Sequence, residues 1–278
     1  MYRYETIEGV PFDKLAECLN LAFSDYHLPI QLNAAALAGI CKASGVDKKL
    51  SFAAFQEEQM VGVVLHSRGV YRGKTMLFDV AAGVVPEHRG KRIFTKLFAL
   101  AEREAKRQGV EACCLEVLQQ NEKAIALYQK QGFSICRDFV VLHAEASDCS
   151  AAVSDHVEFT EYEVFSCEAA NTCYCPLPSY EHSENLIRQN SERYGVAVAK
   201  WQGAYAFCVY AKDDGSIVQM GYQMPDDLKP ILKSLLVRYG ALTAKNIDAK
   251  EQKVLELFGR LGFKEVARQF EMEKQLVL

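Results

Sequence analysis

Two short stretches hold the side chains best placed to do chemistry. The first is Gly83 to Lys96, GVVPEHRGKRIFTK, in which an apolar strand runs into Pro86 and a basic, glycine-containing turn opens an amphipathic helix. That order collects unpaired backbone N–H groups and the positive end of a helix dipole at one point, an anion site suited to a pyrophosphate. The second is Leu115 to Phe133, LEVLQQNEKAIALYQKQGF: a strand, Asn121, then a helix that carries Tyr128 and ends at Gly132. Tyr128 lies about two helical turns beyond Asn121, so the two share a similar face.

Elements that could position these groups are legible on either side. Phe12–Ala22 repeats apolar residues at helical spacing, and Pro29 lies beyond its end. Asn33–Ser44 reads as a second helix closed by Gly45. Leu50–Phe55 and Met60–His66 are strands joined by a polar turn, and Thr75–Val85 is a third apolar run. Ile93–Gln108 reads as a helix, Ala112–Leu118 as a strand, Glu122–Gln131 as a helix and Phe133–His143 largely as a strand. The sum is an α/β arrangement with a mixed sheet.

Order and separation of the two motifs resemble the acetyl-CoA-binding core of the GCN5-related N-acetyltransferase (GNAT) family, over residues 1 to about 143. The resemblance implies a mixed, mostly antiparallel central sheet with helices on both faces, and an acetyl-CoA-dependent N-acetyltransferase in which a primary amine attacks the thioester directly. Tyr128 would then be the general acid that meets the departing CoA sulfur, and Asn121 would lie near the cofactor arm. Val84 and Val85, on a strand that splays from its neighbour in this family, would offer main-chain contacts to the pantetheine arm. The turn and first helical residues Arg89, Gly90, Lys91, Arg92, Ile93 and Phe94 would hold the pyrophosphate. Arg92 and Phe94 stand where family members carry small residues, while Lys91 and Arg92 add charge that suits phosphate oxygens. For the base, the family's usual strand positions are the apolar Val80 and Ala81. Asp79, just before them, and Asp25, at the end of the first helix, are the carboxylate candidates. Tyr26 and His27 would border the acceptor. The alternative is a non-catalytic CoA-binding or regulatory protein on the same fold.

Beyond a small, polar stretch from Ala144 to Ser154, a weak second copy of the pattern follows. Glu256–Phe263 echoes Ala126–Phe133, with Gly262 and Phe258 at the same offset from Gly132 and Tyr128. A strand at Val196–Lys200, the turn Trp201-Gln202-Gly203 and a strand at Tyr205–Tyr210 mirror the hairpin around Met60. The basic turn is replaced by MPDDLKP, whose Asp226 and Asp227 would repel a phosphate, and Asn121 is replaced by Glu251. The expected organisation is a cofactor-binding domain at 1–145 and a degenerate, cofactor-free copy at 155–278.

Composition sets outer bounds. In 278 residues the net charge is -4, which argues against a general nucleic-acid binder. No apolar run approaches the roughly 18 residues that span a bilayer, so no membrane association is expected. Ten cysteines in irregular positions fit a reduced, cytoplasmic setting. Cys167, Cys173 and Cys175 match no usual zinc spacing, and no metal is expected. The partner implied is a small-molecule or peptide amine, and the family's exposed strand edges allow a homodimer.

Overall fold

A computed structural model describes residues 1–25, 31–148, 156–165, 172–201 and 203–276. Two compact units divide the chain. The first comprises Met1–Glu116, Ala126–Ser134 and Met272–Leu278; the second comprises Val117–Ile125 and Ile135–Glu271.

In the first unit β1 (Tyr2–Thr6), β2 (Phe52–Gln56), β3 (Gln59–Tyr71), β4 (Lys74–Val84) and β5 (Ala112–Leu118) lie side by side in that order. The first four are antiparallel to their neighbours, and β4 and β5 are parallel. Alternation along the strands sends side chains to both faces. Helices α1 (Phe12–Ala22) and α2 (Ala34–Ala43) bury Leu15, Leu19 and Leu37 against Ala53, Phe55, Val63 and Leu65. The Asn33 side chain caps α2 by accepting the Ala36 N–H at 2.8 Å. On the opposite face, α3 (Ile93–Arg107) buries Ile93, Leu97, Phe98, Ala101 and Ala105. Each large buried side chain on that stripe contributes ~2 kcal/mol of apolar burial. Helix α1 approaches β4 so closely that a Cβ on Gly83 would meet the Ala22 Cβ at 2.7 Å.

One irregularity matters for the site. The β3–β4 register shifts between Leu65↔Ala81 and His66↔Asp79, leaving Val80 as the extra residue of a bulge. A bulge bends its strand and increases its twist. The β4–β5 pairing ends at the same place, Asp79↔Leu115, although β4 continues to Val84 and β5 to Leu118. Beyond Asp79 the pairing of β4 among the described residues is with β3.

The second unit repeats the series. Its strands run in the order β6 (Ser134–Glu145), β11 (Ala241–Asp248), β10 (Ile217–Tyr222), β9 (Ala204–Ala211), β8 (Tyr194–Trp201) and β7 (Val157–Glu161). Helix α5 (Glu184–Gln189) precedes β8, α6 (Lys229–Tyr239) joins β10 to β11, and α7 (Gln252–Arg260) leads to β12 (Lys264–Gln275). Helix α4 (Glu122–Lys130) and α7 both end at a glycine of positive φ, Gly132 at 92° and Gly262 at 87°, so the echoed sequence is an echoed turn.

The compact units do not follow the division expected at 145 and 155. β6 closes the first repeat in sequence, yet it pairs with β11 from Ala241↔Glu145 to Asp248↔Phe139. β12 closes the second repeat, yet its end is held in the first unit. There Glu273 receives Arg72 and Lys74, Lys274 pairs with Glu102, and the Leu276 N–H reaches the Glu111 carbonyl at 2.8 Å. The polar stretch expected as a linker begins later than Ala144: β6 runs to Glu145, a short turn covers Ala146–Asp148, and residues 149–155 lie outside the described residues.

Candidate active site

Tyr128 and Asp79 meet. Helix α4 carries the phenol back over the first-unit sheet, where its O–H donates to Asp79 Oδ2 at 2.7 Å. The ring is held edge-on by Phe94 at 5.5 Å, Phe98 at 6.4 Å and Phe133 at 5.6 Å. Three aromatic neighbours fix the ring plane and leave the hydroxyl a small arc of motion.

Asp79 is only 7% exposed. Burial lifts its carboxyl from the ordinary 3.8 to about 7, and the Tyr128 hydrogen bond works in the opposite sense. Its second oxygen, Oδ1, is buried and accepts no hydrogen bond among the described residues. A carboxyl of that kind exchanges a proton near neutrality. Its cross-strand neighbour His66 cannot substitute for it. The His66 ring is enclosed against Phe98 and hydrogen-bonded through Nδ1 to the Leu50 carbonyl at 3.0 Å, and burial pushes its pKa down to about 4. It stays neutral.

The turn before α3 has an irregular backbone. Gly90 and Arg92 both have left-handed backbone, φ 73° and 61°, and no side chain caps α3. Among the described residues the amides of Gly90, Lys91 and Arg92 have no hydrogen-bond partner, which leaves three donors at the start of α3. Lys91 is exposed, with its ammonium on the Glu87 carbonyl at 3.0 Å, and Arg92 is exposed. Ile93 is buried under β3, where a Cβ on Gly62 would meet it at 3.2 Å.

Arg89 is not aimed at the cradle. Its guanidinium makes a fork onto Asp25, 2.6 and 2.8 Å, and reaches the carbonyls of Ala22 at 2.7 Å and Val84 at 3.0 Å. It ties the end of α1 to the end of β4. The Asp25 carboxylate is spent in the same fork and is not poised as a base. Phe94 does not close the cradle either, because its ring lies against Tyr128 and Phe98. Val84 and Val85 have main-chain groups already engaged. The Val84 carbonyl takes Arg89, and the Val85 N–H bonds the Val61 carbonyl at 3.0 Å. The part of β4 that departs from β5 is Val80–Val84. Asn121 caps α4 by accepting the Ala124 N–H at 3.1 Å. Tyr26 and His27 lie outside the described residues.

In the second unit the corresponding turn is closed from within. The Asp227 carboxylate accepts the Met224 N–H at 2.7 Å, and Asp226 pairs with Arg260 at 2.9 Å. A carboxylate thus sits where an anion would bind.

Comparison with known proteins gives the same picture. A model of the acetyltransferase (GNAT) family matches residues 14–133. N-alpha-acetyltransferase 30 of Schizosaccharomyces pombe is 33% identical over 90 residues, 32% of this chain and 59% of that protein, so the chain spans less than two thirds of this relative. A GCN5-related N-acetyltransferase from Sphaerobacter thermophilus superposes with a TM-score of 0.68 at 13% identity, covering 100% of this chain and 96% of its own. A tandem GNAT protein from the clavulanic acid biosynthesis pathway gives 0.67 at 12% identity, over 100% and 99% of the two chains. The chain therefore carries, over residues 14–133, a domain of the acetyltransferase (GNAT) family, and its whole length has the fold of a tandem GNAT protein.

Proposed function

We propose that the first unit transfers the acetyl group of acetyl-CoA to a primary amine by direct attack. The observation that carries this reading is the 2.7 Å contact between Tyr128 and an Asp79 whose carboxyl titrates at about 7, at the point where β4 leaves β5. The amide donors of Gly90, Lys91 and Arg92, with two exposed cationic side chains, fit the pyrophosphate. The parted edge of β4 from Val80 onward fits the pantetheine arm.

The two side chains complete a proton circuit. Asp79, ionised, takes a proton from the acceptor ammonium, and the freed amine nitrogen bonds the thioester carbonyl carbon. As the C–S bond breaks, the sulfur takes the phenol proton of Tyr128. Tyr128 is then reprotonated by Asp79 through their hydrogen bond, and the remaining proton on the new amide nitrogen passes to water. Binding both substrates together supplies the rest of the acceleration by proximity.

The acceptor is a small-molecule or peptide amine. The similarity to an N-alpha-acetyltransferase puts peptide N-termini first in a screen. A reducing, cytoplasmic setting is proposed on the free state of the eight cysteines among the described residues. The test is release of CoA thiol from acetyl-CoA with a panel of peptide N-termini, amino acids and small amines, for the wild type, Tyr128→Phe and Asp79→Asn. Turnover in the wild type that falls in both variants supports the enzyme. Acetyl-CoA binding without transfer to any amine identifies the regulatory alternative.

A further inference from the structure

The second unit has a parted strand pair of its own. β10 and β11 are in parallel register at Ile217↔Ala244, yet β10 continues to Tyr222 and β11 to Asp248. One edge of β10 is covered by β9, with Tyr222 opposite Ala206. At the other edge lies a segment of the same unit. The Tyr174 N–H reaches the Tyr222 carbonyl at 2.8 Å, and the Tyr222 N–H reaches the Tyr174 carbonyl at 3.0 Å, in antiparallel sense.

Further contacts pin this segment across the gap. The Tyr174 hydroxyl donates to Glu251 Oε1 at 2.5 Å, and Glu251 stands just before α7, where the first repeat has Asn121. Arg137, 7% exposed, donates to the carbonyls of Leu177 at 2.5 Å and Pro178 at 3.0 Å. Its Nε holds Asp248, the last residue of β11, at 2.9 Å. Cys175 is packed over β10, where a Cβ on Gly221 would approach its Sγ to 2.9 Å.

We infer that Thr172–Pro178 occupies, in the second unit, the slot that the parted β4 offers to the pantetheine arm in the first. Paired main-chain bonds to Tyr222 satisfy the edge that a bound thioester arm would otherwise satisfy. With Asp227 filling the neighbouring turn, the second unit is self-occupied at both the arm and the phosphate position. The chain therefore binds one acetyl-CoA. The inference rests on the proposed reading of the first-unit gap as the arm's place.

Hydrogen exchange at the Tyr222 amide of the full chain, with and without saturating acetyl-CoA, tests it alongside calorimetric titration with acetyl-CoA. The expected result is protection of about 100-fold or more in the free protein, unchanged by acetyl-CoA, with one equivalent bound. Free exchange in the absence of acetyl-CoA, faster exchange on its addition, or two equivalents bound would each overturn it. Protection with no acetyl-CoA bound at all supports the filled slot and refutes the proposed function of the first unit instead.

Discussion

Proton exchange between Tyr128 and Asp79 makes activity and stability depend on pH in opposite ways. In the proposed circuit Asp79 acts as a base only when ionised, so kcat should rise with pH through about 7. Stability runs the other way. The folded carboxyl holds its proton more tightly than the unfolded one. Its contribution is therefore complete below the ordinary 3.8 and is lost as pH rises through about 7. Asp79→Asn should lower kcat by about 100-fold or more while making the fold more stable than wild type above pH 8, read by urea denaturation across pH. Tyr128→Phe should lower kcat by about 100-fold with little change in KM for acetyl-CoA. It should also move the activity profile to higher pH, because the hydrogen bond that lowers the Asp79 pKa is gone. Arg92 offers a separate check, since its φ of 61° is the left-handed region that favours glycine. Arg92→Gly should be more stable than Arg92→Ala by about 1 kcal/mol, measured as the difference in denaturation midpoints.

The turn between β4 and α3 divides its labour at the level of elements. Arg89 braces α1 against β4, so Arg89→Ala should lower stability by about 1–2 kcal/mol, and Arg89→Lys should not restore it because an ammonium cannot make the fork. Loss of acetyl-CoA affinity without loss of stability would return Arg89 to the phosphate site. In the second unit, Asp227→Ala should cost about 1 kcal/mol and leave turnover unchanged. Most elements are legible in the sequence because their signals are local: Phe12–Ala22 and Ala112–Leu118 match the observed bounds. β1 escapes because Tyr2–Thr6 is short and only partly buried. The duties of Arg89 and Phe94 escape for another reason. Each is decided by a partner far away in sequence, Asp25 for one and Tyr128 for the other. Asp79 was legible as a carboxyl near the right strand end. Its raised pKa was not, because burial depends on where α4 returns.

At the scale of the molecule, strand exchange between the repeats couples regions that the sequence keeps apart. The first unit includes Met272–Leu278, and Glu273 and Lys274 there make ion pairs with Arg72, Lys74 and Glu102. Deleting Met272–Leu278 should therefore weaken acetyl-CoA binding and raise protease sensitivity within Met1–Glu116, even though no residue of the turn or the Tyr128–Asp79 pair is touched. The same exchange orders events during synthesis. A ribosome makes the anion turn, Asp79 and Tyr128 early, but the strand end that completes their unit emerges only after the whole second repeat has been made. The first unit is therefore completed only after the second repeat has been made.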